Sequence, residues 1–142
     1  MKKLLFLFLI FNISFATAQT TPEIGPYVEG YRGPKLEEVW LLRIGPRADH
    51  TFLVQIAGVD HDWNHTIVKC EVKKDNDAPA AYTVIYNEEP YALMTQKSYT
   101  ELELRLPDDK TAILLTYDKE LSLEGNREAF LADYLAAQRR AQ

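Results

Sequence analysis

This sequence predicts a mainly β fold: an antiparallel meander of about seven strands, closed into a small barrel or sandwich, with one C-terminal α-helix packed on it. From Leu36 onward, short apolar runs are broken by turn residues about every ten positions. Within the clearest runs, apolar and polar residues alternate with the period of a half-buried strand. Only the last segment of the chain spaces its apolar residues as a helix does.

The first strand is expected over Val39 to Ile44, closed by Gly45-Pro46, and the second over Thr51 to Ala57, with Phe52, Val54 and Ile56 on one face. In Thr66 to Lys73, Val68, Cys70 and Val72 point one way and Lys69, Glu71 and Lys73 the other. Asp75 to Asp77 and Pro79 break the chain before Ala81 to Tyr86, and Asn87 to Pro90 break it before Tyr91 to Thr95. Thr100, Leu102, Leu104 and Leu106 alternate with Glu101, Glu103 and Arg105. The turn Pro107 to Lys110 returns the chain into Thr111 to Tyr117, whose Ile113, Leu114 and Leu115 leave no polar face and so place it centrally or under a helix. That helix is expected over Asn126 to Arg140. Asn126 is placed to cap it, Phe130, Leu131, Tyr134 and Leu135 form its stripe, and Arg139 and Arg140 suit the negative end of its dipole.

The N-terminus reads as an address. Lys2 and Lys3, the apolar run Leu4 to Phe11 and Ala16-Thr17-Ala18 compose a secretory signal cleaved after Ala18, with an apolar stretch too short to span a bilayer. Residues 19–35, dense in Pro and Gly, read as an irregular lead-in, and 36–142 as one domain. Without Lys2 and Lys3, the 16 basic side chains become 14 against 21 acidic ones, a formal net charge of −7. Such a balance argues against a nucleic-acid partner, which requires a basic face. It is compatible with solubility and with a cationic partner alike. With the single cysteine Cys70, the domain has no internal disulfide to hold it and must rely on burial.

Chemistry-bearing residues gather in one connection, Asp60-His61-Asp62-Trp63-Asn64-His65. His61, His65 and Asp60 are weak candidates for a metal site, since imidazole and carboxylate ligate divalent ions. His50 belongs at the opposite end of the intervening strand, roughly 23 Å away. Trp63, ringed by Asp and His, suits an interface anchor or a plug for the barrel end. Nothing here carries a nucleophile motif: Ser98 and Ser122 lack flanking glycines, and Cys70 sits among inward valines. Tyr82, Tyr86, Tyr91 and Tyr99 fall on or beside consecutive strands and could line one end or face of the barrel.

The expectation is therefore a small exported, periplasmic or secreted, non-enzymatic protein without a cofactor, of the inhibitor or immunity type. Its partner would be another envelope or secreted protein, with no nucleic acid and no membrane span after signal cleavage. The expected contact residues are Asp60, His61, Asp62 and Trp63, with Glu88, Glu89 and Tyr91 on a second loop. A barrel carrying a small apolar ligand among the tyrosines is the alternative, and a metal-dependent hydrolase on the Asp60–His65 loop stands third.

Overall fold

The computed structural model describes residues 20–142; the expected export signal lies outside the described residues. Eight antiparallel strands close into a barrel in chain order: β1 Glu29–Arg32, β2 Glu38–Arg43, β3 Thr51–Ala57, β4 Ile67–Lys73, β5 Ala81–Tyr86, β6 Glu89–Gln96, β7 Glu101–Arg105 and β8 Ala112–Tyr117. The seven expected runs became β2 to β8. The eighth strand, β1, lies inside the stretch read as an irregular lead-in. It is only four residues long, and its flanking prolines and glycines hide its alternation.

Inward positions alternate along every strand and meet in one core: Val39 and Leu41, Val54 and Ile56, Cys70, Val84, Leu93 and Met94, Leu102 and Leu104, and Leu115. Val39, Val54, Ile56, Cys70, Leu93, Met94, Leu104 and Leu115 have no exposed surface. A void wide enough for a water molecule beside them would expose them, so this layer of the barrel is packed solid.

Two helices follow β8. The first, α1 (Lys119–Glu124), was not anticipated; it is six residues long and capped by Asp118, whose carboxylate accepts from Leu121 N–H at 2.9 Å. It lies against β1 at Gly30, where a Cβ would stand 2.8 Å from Leu121 Cγ. The second, α2 (Arg127–Arg140), starts at the expected cap, with Asn126 Oδ1 accepting from Ala129 N–H at 2.9 Å. Its stripe of Phe130, Leu131, Tyr134 and Leu135 covers Trp40, Leu42, Ile44, Leu53 and Ile67 on the outside of β2, β3 and β4. Cover over β8 was expected instead. Leu114 on β8 stays 48% exposed, and the strands with two buried faces are β2 and β3. No helix of the described residues is long and apolar enough to cross a membrane.

Candidate functional site: one end of the barrel

A meander sends every second connection to the same end. The loops 33–37, 58–66 and 106–111 and the turn 87–88 therefore share one end, and the connections 44–50, 74–80 and 97–100 share the other. All seven expected contact residues fall at the first end. Asp60 and Asp62 stand exposed on the β3–β4 loop, and Glu88 and Glu89 are exposed at the β5–β6 turn. His61, Trp63 and Tyr91 are half-buried beneath them.

Aromatic edges join these loops. His61 meets Trp63 with ring centroids 6.2 Å apart, Trp63 meets Tyr86 at 5.8 Å, and Tyr86 meets Tyr91 at 6.0 Å, each pair close to T-shaped. Trp63 rests on the barrel core and closes this end of it. Hydrogen bonds tie the row to the β7–β8 loop. The Tyr86 hydroxyl donates to Asp108 at 2.5 Å, and the Tyr91 hydroxyl donates to the Arg105 carbonyl at 2.7 Å. The carboxylate bound to it raises the Tyr86 phenol above its ordinary range, while burial does the same for Tyr91.

His61 is a strut between loops. Its Nδ1 accepts the backbone N–H of Trp63 at 3.0 Å, so Nε2 carries the proton and donates to the Pro107 carbonyl at 2.7 Å. Both ring nitrogens are occupied. His65 faces elsewhere, lining a surface depression with Asp133, Ala137 and Arg140 of α2. The weak metal set of His61, His65 and Asp60 is thus not brought together, and no group of three or more candidate ligands exists among the described residues. The reason is local: His65 adopts left-handed backbone (φ 63°) as the loop turns into β4, which directs it away from His61. The tyrosine quartet is also split. Tyr82 is buried against Phe52, at 5.8 Å, and Tyr99 is fully exposed at the opposite end.

The backbone of the site end is unusual. Among the described residues, six other than glycine have left-handed φ, and Leu36, His65, Asn87, Glu88 and Asp108 all lie here. Such backbone costs a residue with a Cβ roughly 1–2 kcal/mol. Leu36 is also 74% exposed. Its carbonyl oxygen stands 2.6 Å from where a Cβ of Gly58 would be, and Gly58 itself is left-handed (φ 74°), so only glycine lets the β1–β2 loop sit against the β3–β4 loop. Comparisons with protein-family models, curated proteins and solved structures found no match.

Sequence reasoning missed Leu36, Pro107 and Asp108 as parts of this site, and named Tyr86 only as one of four tyrosines lining an end or face. The signal was available in the meander itself, because alternate hairpin connections must meet. With Asp60, Asp62, Glu88, Glu89, Asp108 and Asp109, three connections raise six carboxylates around one aromatic row. Chemically, this arrangement can hold a cationic, partly apolar surface in place; it presents no activated nucleophile.

Proposed function

We propose that this barrel end docks a cationic protein, and that the chain acts after export as a non-enzymatic inhibitor or immunity-type factor. One observation carries the reading. Charged and apolar side chains are kept at Glu88 and Leu36, on exposed left-handed backbone where glycine or asparagine would cost less. A local rule broken at a surface of this kind is expected where the side chain serves a partner. Bracing of the loops by His61, Tyr86 and Tyr91 supports the same reading, since a surface ordered in advance loses little entropy on binding. The close packing of the core residues named above supports this reading over the alternative, a carrier of an apolar ligand.

Photo-crosslinking in the native cells tests this. A photoreactive residue replaces Asp62, Glu89 or, at the far end, Tyr99. The expected result is an adduct with one basic protein from positions 62 and 89 that fades at high salt, and none from position 99. Adducts from position 99 alone, or from no position, would refute it.

A further inference from the structure

The β5–β6 hairpin leaves the barrel wall before it ends. Pairing of β4 with β5 stops at Glu71↔Thr83, although β4 begins at Ile67 and β5 runs to Tyr86. Pairing of β6 with β7 stops at Met94↔Leu104, although β6 begins at Glu89. Both breaks fall beside the register shift at Tyr82/Thr83, where Leu93 is the extra residue. A bulge bends its strand and ends pairing, so the hairpin tip diverges from both neighbours.

The two sides of the tip differ. On the β6 side, Pro90 has no N–H to offer, and the Arg105 carbonyl that a neighbouring strand would use already accepts from the Tyr91 hydroxyl. That side is sealed. On the β4–β5 side no backbone group is taken, and only the side-chain contact of Trp63 with Tyr86 spans the split. Alternate residues of an antiparallel strand bond to alternate neighbours. Val72 N–H bonds the His50 carbonyl, so Val72, Cys70 and Val68 serve β3, while Glu71, Lys69 and Ile67 face β5. Likewise Thr83 faces β4, and so does Ile85. The backbone groups of Ile67, Lys69 and Ile85 on this side therefore border the split without a strand partner. The Ile85 side chain beside it is 68% exposed.

We propose that this split receives an extended, basic segment of the bound protein by strand addition. The inference rests on the docking reading above and names its mode. Unpaired strand edges are templates for another strand. The charge preference follows from the rim: Asp60 and Asp62 lead toward β4 and Glu88 and Glu89 stand where β5 ends, four exposed carboxylates against the one exposed ammonium on the unpaired stretch of β4, Lys69. Cationic residues of the segment would meet that rim, and its apolar residues would lie beside Ile85.

The test uses the full mature chain, isotope-labelled for NMR, with a decapeptide alternating Lys and Val as probe. At millimolar peptide, the amides of Ile67, Lys69 and Ile85 are expected to shift, and the Ile85 amide to exchange more slowly. Ile85→Pro removes one edge N–H that the fold does not use, and is expected to weaken the peptide about fivefold, the value of one backbone hydrogen bond. Ile85→Thr keeps the N–H and is expected to bind within about twofold of the wild type. Far-UV circular dichroism checks that both variants are folded; should Ile85→Pro unfold, a backbone ester at position 85 replaces it. Shifts confined to Glu88, Asp60 and Asp62, equal effects of Pro and Thr, or no shift would each overturn strand addition. Self-association through the same amides would assign the edge to a second copy of this chain and overturn it too. None of these outcomes alters the crosslinking result, which alone decides the docking reading.

Discussion

Glu88 offers the sharpest separation of stability from binding. Tyr86 pairs with Glu89 across a two-residue turn whose central residues, Asn87 and Glu88, have φ of 50° and 67°. Two positive φ values make this the tight hairpin turn that most often uses Asn-Gly. Glu88→Gly relieves a left-handed cost of roughly 1–2 kcal/mol. The added freedom of the unfolded glycine takes back roughly 0.5–1 kcal/mol. The net expectation centres on about 0.8 kcal/mol of stabilisation, a rise in Tm of roughly 3 °C for a domain of this size. Glu88→Ala removes the same carboxylate but keeps the Cβ, so it should gain nothing. Urea and thermal melts of both variants, followed by circular dichroism, read the difference. Both should lose partner crosslinking from position 62. A Gly variant no more stable than the Ala variant would refute the claim that this backbone is costly, and with it the main support for a functional tip.

Other expectations follow from the core and from ionisation. Leu104 has no exposed surface in the packed interior, so Leu104→Ala should cost about 2–5 kcal/mol in urea denaturation. Although Glu29 keeps an exposed surface, partial loss of hydration around its carboxyl holds it above its ordinary range, outweighing a hydrogen bond with Tyr31 that lowers it. The folded state thus binds this proton more tightly than the unfolded one, and stability falls as pH rises through the carboxylate range. Glu29→Gln should raise Tm at pH 7 and leave it unchanged well below that range; a variant no more stable at pH 7 would contradict this. Burial pushes the Cys70 thiol up to about 12, so a thiol reagent at mildly alkaline pH should react with it only on unfolding. Fast labelling of the native protein would show that the barrel opens.

The strands from β2 onward were legible because Val68-Lys69-Cys70-Glu71-Val72 and Leu102-Glu103-Leu104 sort cleanly between two environments. Helix α2 was legible from Asn126 and its apolar stripe. Where that helix lies was harder to read. Val39 to Leu42 carries apolar side chains on both faces as Ile113 to Leu115 does, and only tertiary packing chose β2. Strand β1 escaped because Gly30, needed for contact with α1, resembles a breaker. At the site, the clustering of Asp60 to His65 was visible in the chain itself. Its union with Tyr86, Pro107 and Asp108 was not, because residues far apart in sequence meet there only once the barrel closes.

The seam between β1 and β8 is short, pairing only Tyr31 with Tyr117 and Arg32 with Thr116. It is reinforced by contacts from just beyond β8: Asp118 N–H donates to the Gly30 carbonyl at 2.9 Å, Gly30 N–H to Ser122 Oγ at 2.8 Å, and Arg32 reaches Asp118 at 3.7 Å. Ring closure thus joins the first strand to residues that follow the last one. A growing chain can zip its hairpins one after another, yet β1 stays without its second neighbour until Ser122 has emerged. A chain interrupted anywhere before Ser122 is thus left with an unclosed wall and two bare strand edges.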